Sequence, residues 1–417
     1  MLIGDIELPR LKNAIEDSYA SMLAPFATTR PKENSRDYSE DERPDENRGS
    51  FQRDRDRIIH SKAFRRLMYK TQVFVNHEGD YFRTRLTHTL EVAQIARGIC
   101  KSLALNEDLA EAIALGHDLG HTPFGHAVEK FLNDELEKRQ MGCYKHNEQS
   151  VRVVDFLERR CDKYPGLNLT HEVREGILKH TTDRSGVYEN LNPYKPCFSI
   201  EGQIVALVDT LTYICHDLQD GINFGLVEKA YKKSKDVDAE ITKIKEIIAS
   251  LLELKTAELD FSQYSDTFFI KDLIHHLIMS ITTQTVETID EKNIRTLADV
   301  HSLCNSGEPI VGFKKVDENL FKKLKKAIYE TIYGINTIVI MDSKATNVAR
   351  ELFDAFTNNP KLLPADQFYR YMNIENPEIN HGFENNEIHV VCDYIAGMTD
   401  RFALEEHERI RNPRIKI

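Results

Sequence analysis

Between residues 114 and 126 the chain reads Ala-Leu-Gly-His-Asp-Leu-Gly-His-Thr-Pro-Phe-Gly-His, and no other stretch limits the fold so strongly. Three histidines and an aspartate fall between His117 and His126, directly after Leu109, Ala112, Ile113 and Leu115, which mark one face of a helix. Asn106 stands where that helix needs a cap, and Gly120 is placed to end it. Thr122 is then expected to cap the next helix, with Pro123 at its first position. A single histidine in such a place reads as a satisfied core residue or part of a polar surface corner. A cluster beside a buried helix end is costly without a ligand, because buried polar groups must find partners.

A second feature points the same way. Residues 200 to 220 read as a helix capped by Ser199, with Ile204, Leu207, Val208, Leu211, Ile214, Cys215 and Leu218 as its apolar face. Asp209, Tyr213, Asp217 and Asp220 recur beside that face at helical spacing. Asp220 is expected in a solvent-facing stripe, whereas Asp209 is flanked by Leu207, Val208 and Leu211. His88 lies two residues from the stripe of a long helix expected over residues 84 to 103. With His117, Asp118 and Asp209 it makes two imidazoles and two carboxylates. That donor set suits Mn, Fe, Zn or Ni better than Mg, and leaves room for water and a substrate oxygen.

The remaining chain reads as helices over residues 9–29, 53–70, 126–138, 146–161, 170–181, 227–234, 237–262, 270–286, 317–334, 342–358 and 388–407. Residues 71–75 read as a short extended piece, 76–80 as a turn and 360–364 as a linker, and only the region 300–315 invites a hairpin. The fold class is therefore all-α. Residues 31–50 hold one aromatic and no aliphatic side chain, the pattern of a mobile loop or a segment ordered only by a partner. The expected division is residues 1–82 as N-terminal helices and an acidic loop, 83–220 as the central domain and 221–417 as a C-terminal helical region.

A net charge of −12 argues against a general DNA-coating protein without excluding an anionic substrate. The clearest basic cluster is Arg53, Arg55, Arg57, Lys62, Arg65, Arg66 and Lys70, which reads equally as a solvated face or a phosphate-facing one. No apolar run approaches membrane-spanning length, and the first residues lack the pattern of a secretory signal. Seven scattered cysteines without a CxxC suggest reduced thiols, and with them a cytoplasmic protein.

Together His88, His117-Asp118 and Asp209 resemble the metal-binding signature of the HD-domain phosphohydrolases. Within that superfamily the chain resembles the deoxyguanosine triphosphate triphosphohydrolases. The likeness is carried by the ordered blocks 57–67, 70–74, 85–88, 117–126, 145–150, 209–217 and 393–402. It implies an HD-domain helical core with additional N- and C-terminal helices. It also implies hydrolysis of a dNTP to the deoxynucleoside and intact triphosphate, with Mn²⁺ or Mg²⁺ held by His88, His117, Asp118 and Asp209. By the same resemblance, His126 and Glu129 form the catalytic dyad, and His121 and His146 line the α-phosphate. Arg85 contacts phosphate, while Gln72, Tyr213 and Asp217 read the deoxyribose. Some relatives carry a lysine directly after the metal aspartate, where this chain has Thr210, so part of the triphosphate recognition is left to other basic residues. The resemblance further implies a homo-oligomer, a tetramer or hexamer, and is compatible with single-stranded DNA binding as a side activity. The competing functions are another HD phosphatase or phosphodiesterase, and a nucleic-acid-binding regulator with a vestigial site.

Overall fold

The computed structural model describes residues 16–40, 48–72, 83–181, 188, 191–192, 196–223, 235–262, 268–373 and 386–415. Among these the protein is all-α; pairing of the β type is confined to two isolated bridges, Thr71 with Thr84 and Arg159 with Gly166. The helices group into two compact units, each assembled from three separate stretches of chain.

The first unit comprises residues 1–59, 89–117 and 168–335. At its centre lies the helix Glu107–Gly116, contacted by Ser50–Ile59, His171–Lys179 and Ile200–Asn223. Asn106 caps it as expected, its side-chain oxygen accepting from the Leu109 amide at 3.2 Å. Leu109, Ile113 and Leu115 are buried, each such side chain contributing roughly 1.5–3 kcal/mol. Two buried carboxylates tie the surrounding segments together. Glu201 accepts from the Thr28 and Asn106 amides, and Asp54 from Thr170 and Arg36. Arg36 and Tyr38 belong to the stretch expected to be mobile or ordered only by a partner. Within residues 31–40 the chain itself supplies the order, since Glu172, Asp54 and Asn168 bind Lys32, Ser35, Arg36 and Tyr38. The hairpin invited near 300–315 does not form. Thr296 caps a helix over Leu297–Asn305, and the next helix begins at Lys315.

The second unit comprises residues 60–88, 118–167 and 336–417. Its core joins the helix His126–Lys138 to the helix Asn336–Asn358 through Phe131, Leu132, Phe353 and Phe356, with Val391 and Ile395 alongside. The single helix expected over 388–407 is two helices, Glu387–Ala396 and Asp400–Arg411, because Gly397 ends the first and the Thr399 hydroxyl caps the second. The helix expected over 53–70 is likewise interrupted. Ser61 caps a new start by accepting from the Phe64 amide at 3.1 Å. The helix from His146 ends in a π turn over Val153–Leu157, short of the expected residue 161. The expected helix 227–234 and turn 76–80 lie outside the described residues, as does most of the extended piece 71–75. No helix among the described residues is long and apolar enough to cross a membrane.

Candidate active site

Each unit carries one group of chemically able side chains, and the two groups meet in sequence at the His117–Asp118 peptide bond. In the first unit His117 closes the central helix and is fully buried. Its Nδ1 lies 2.6 Å from the Ala114 carbonyl, which can only accept, so Nδ1 bears the hydrogen, and Nε2 of a neutral ring so held carries a lone pair. That Nε2 faces Asp209 Oδ1 at 3.4 Å. A lone pair opposite a carboxylate is a repulsive pairing until a proton or a metal cation joins them, which is the chemistry of a ligand pair. His180, which sequence spacing did not single out, repeats the arrangement. Its Nδ1 lies 2.7 Å from the Ile177 carbonyl, and its ring meets that of His117 edge-on at 5.0 Å.

Along the helix Ile200–Asn223, Asp209 retains 18% side-chain exposure while Asp217 is buried. Asp220 is buried too, contrary to its expected place in a solvent-facing stripe, because the acidic face of this helix packs inward at that end. Asp217 accepts a bond from the Tyr333 hydroxyl. Tyr213 is half-buried, and the Lys325 ammonium stands over its ring at 5.4 Å. Burial, followed by the charges of Asp209 and Asp217, pushes the Tyr213 phenol well above its ordinary range, so it stays a hydroxyl. Phe198 packs on His301 at 5.5 Å. Neither Lys325 nor Tyr333 was found from sequence. Lys325 sits in a lysine-rich helix that reads as a solvated face, and each is more than 100 residues from its partner.

In the second unit the residues following Asp118 form a tight corner. Gly120 approaches the helix His146–Arg152 so closely that a Cβ would fall 2.2 Å from the Ser150 nitrogen. Its amide donates to Ser150 Oγ and its carbonyl accepts from the Tyr144 hydroxyl, both at 2.8 Å. Thr122 does not cap the next helix. Its hydroxyl donates to the Gly125 carbonyl at 2.7 Å, and positive φ angles at Phe124 and Gly125 delay the helix to His126. Asp400 pins this corner by accepting from the Phe124 amide at 2.8 Å and from Thr71.

The corner assembles His121, His126 and His146 around Glu129, with ligand-type atoms all within 4.8 Å of one another. Glu129 Oε2 lies 2.9 Å from His126 Nδ1, and Oε1 lies 2.8 Å from His146 Nδ1. The carboxylate therefore serves two imidazoles and is not private to His126. Burial alone would raise Glu129, but His146, His126 and His121 outweigh it and hold the carboxyl well below its usual range. His146 is raised because Glu129 outweighs its burial, whereas burial, Arg85 and His146 together hold His121 well below an ordinary histidine. His121 and His146 stack at 3.9 Å, and His126 is 68% exposed.

Asp118 completes this group. Its Oδ1 lies 3.1 Å from His121 Nε2, and its Oδ2 accepts from Arg85 Nη1 at 2.9 Å. His88 places a ring nitrogen within 4.8 Å of an Asp118 oxygen. The expected phosphate-contacting Arg85 is buried and ion-paired here, with its other terminal nitrogen beside Gly125. Gln72 places its backbone carbonyl by the same glycine, and its buried side-chain oxygen has no partner among the described residues. The donors in both units are imidazole nitrogens and carboxylate oxygens, which fit a borderline divalent ion.

Comparison with known proteins agrees with these observations. The HD domain family matches residues 85–214, and the phosphohydrolase-associated domain matches residues 311–409. A deoxyguanosinetriphosphate triphosphohydrolase-like protein of Bordetella pertussis is 43% identical over 396 residues, covering 93% of this chain and 96% of the relative. Proteins given the same description in Geobacter metallireducens and Rickettsia bellii are 41% and 39% identical. Those alignments span 94% and 93% of this chain, and 96% and 98% of the respective relatives.

Proposed function

The chain belongs to the deoxyguanosinetriphosphate triphosphohydrolase-like HD phosphohydrolases, and on that premise we propose that it hydrolyses deoxynucleoside triphosphates, dGTP among them, to deoxynucleoside and inorganic triphosphate. Hydrolase chemistry follows from the family; the substrate and products are our reading. We assign His88, His117, Asp118 and Asp209 as the ligands of one divalent ion, Mn²⁺ or Mg²⁺. The observation that carries this assignment is the His117 ring, fixed by Ala114 so that its lone pair faces the Asp209 carboxylate. The ion supplies neutralisation of phosphate charge and polarisation of the phosphoryl group.

The protein's own side chains do the rest. Water attacks the α-phosphorus and the bond to the 5′-oxygen breaks, so one proton leaves the water and one reaches the departing oxygen. His126, exposed to arriving substrate and oriented by Glu129, is the proton-transfer group. His146, whose imidazole the same carboxylate raises, and His121, held well below an ordinary histidine by burial, meet the α-phosphate. Arg85 holds Asp118 in place and turns its second terminal nitrogen toward Gly125. Asp217, bonded to Tyr333, accepts from the sugar 3′-hydroxyl with help from Gln72. The Tyr213 ring closes off the 2′ edge. Lys325, over that ring, supplies the cation absent at Thr210.

The resemblance also supports a homo-oligomer, a tetramer or hexamer, and is compatible with single-stranded DNA binding as a side activity; the scattered cysteines support a cytoplasmic location. The decisive test of the site is Asp209→Ala, which should lose metal uptake and turnover together. Wild-type metal content and rate in that variant would remove Asp209 from the ligand set.

A further inference from the structure

Within the second unit the corner gathers His121, His126, Glu129 and His146. No other group among the described residues brings three imidazoles to one carboxylate with ligand-type atoms all within 4.8 Å of one another. Proton transfer calls on His126 and Glu129 alone, and gives no reason for so many nitrogen donors to converge.

Glu129 is held as a metal carboxylate is held. The His146 amide donates to its Oε1 at 2.9 Å, which fixes the group in place. Oε1 also lies 2.8 Å from His146 Nδ1, and Oε2 lies 2.9 Å from His126 Nδ1. Tetrahedral zinc, with ligands at about 2.0–2.1 Å, spaces neighbouring ligand atoms about 3.3 Å apart, so the observed spacing needs to open by only about half an ångström. His126 can supply that movement, because it opens its helix and its side chain is 68% exposed. Its ring stands at 68° to that of His146, so the two imidazoles approach from different directions, as a tetrahedral ion requires.

His121 supplies a second, separate observation. Its ring lies nearly parallel to that of His146, at 15° and 3.9 Å. Imidazole lone pairs point in the ring plane, so two stacked rings cannot both aim at one ion. Yet His121 Nδ1 is buried with no hydrogen-bond partner among the described residues, and it stops 4.0 Å from Glu129 Oε2. A buried polar atom left in that state calls for a partner. Two imidazoles and one carboxylate are a donor set of catalytic zinc sites, which keep water in the fourth position. Magnesium prefers oxygen donors and would gain little here.

We infer that the corner is itself a zinc site, with His126, His146 and Glu129 as ligands and the ion's water turned toward His121 Nδ1, and that zinc bound there switches the protein off. This site is separate from the ion assigned to His88, His117, Asp118 and Asp209. The inhibition rests on the proposed function, in which His126 moves the proton and His146 meets the α-phosphate; zinc engages both nitrogens and excludes the phosphate. The binding rests on the geometry alone.

The test begins with full-length protein dialysed to equilibrium against buffered zinc, with bound metal counted by atomic emission. Wild type should hold two ions per chain, whereas His126→Ala and Glu129→Gln should each hold one with the circular dichroism unchanged. Cobalt(II), which reports coordination number by its visible spectrum, should show four-coordinate bands in Asp209→Ala and lose them when His126→Ala is added. Equal zinc counts in wild type and His126→Ala, or no four-coordinate cobalt in Asp209→Ala, would overturn the site. Manganese-loaded wild type should lose dGTP turnover by about a hundredfold or more as the second ion binds, with its manganese retained. Undiminished turnover at full zinc occupancy, or a fall only as manganese departs, would overturn the switch. The metal counts need no turnover, so failure of the proposed reaction leaves the site to be judged on them, and failure of the counts leaves the proposed reaction standing.

Discussion

Replacing Glu129 by glutamine tests whether one carboxylate serves two imidazoles. The substitution keeps the shape but removes the charge and one of two equivalent acceptor oxygens. Three contacts depend on those oxygens: His126 Nδ1 at 2.9 Å, His146 Nδ1 at 2.8 Å and the His146 amide at 2.9 Å. Glutamine's single oxygen can accept from only one of the two Nδ1 atoms and carries no charge, so at least one charge-assisted bond is lost, at a cost of roughly 1.5–3 kcal/mol. Loss of proton transfer from a misaligned His126 brings the expected fall in single-turnover rate on dGTP to about a hundred- to ten-thousand-fold. The informative comparison is made in a His126→Ala background. A carboxylate private to His126 would have nothing left to do there, whereas one that also holds His146 should cost about a further tenfold when replaced. The imidazole of His146, raised by Glu129, should titrate at lower pH in Glu129→Gln when followed by NMR. A Glu129→Gln rate within about twofold of wild type, or no further loss in the His126→Ala background, would refute the shared-carboxylate reasoning.

Three other substitutions probe separate parts of the account. Gly120→Ala forces a Cβ to within 2.4 Å of the His146 carbonyl, so it should destabilise by about 1–3 kcal/mol or more and displace His146; unchanged Tm and rate would contradict the close approach. Burial pushes the Glu175 carboxyl up from 4.5 to about 7, against bonds from the Phe198 amide and Asn192. A raised folded-state value means stability is fully present below pH 4.5 and lost as pH rises through 7, by about 3 kcal/mol. Urea midpoints at pH 5 and 7.5 should therefore differ in the wild type and converge in Glu175→Gln; equal slopes in both would refute it. If Tyr213 reads the sugar, wild-type kcat/KM should strongly favour dGTP over GTP and Tyr213→Ala should narrow the gap, whereas comparable wild-type turnover of both nucleotides would sink the idea.

What could be read in advance was local. Asn106 before a periodic apolar run signals its own cap, and the histidines after Leu115 declare themselves by type and crowding. The misread positions are those where a distant residue decided the outcome. Thr122 would have been an ordinary cap had Asp400 not drawn the Phe124 amide into a corner with two positive φ angles. Residues 31–40 look unable to order themselves because their partners Asp54, Asn168 and Glu172 come from elsewhere in the chain. Gly397 and Thr399 divide a helix that apolar periodicity alone carries straight through. Within the candidate site, the residue types were legible and the sharing was not. Nothing in the spacing of Glu129 from His126 announces His146 as its second partner, and Lys325 meets Tyr213 only once the chain is folded.

The central claim is the reaction itself, and it is tested most directly by the fate of oxygen from water. Each of the four dNTPs, dGTP first, should be incubated with Mn²⁺ or Mg²⁺ in ¹⁸O-labelled water, singly and in pairs, and the products resolved by mass. Attack at the α-phosphorus with departure of the 5′-oxygen predicts unlabelled deoxynucleoside and inorganic triphosphate carrying one ¹⁸O. Release of a nucleoside mono- or diphosphate, label in the deoxynucleoside, or no turnover of any dNTP would contradict it.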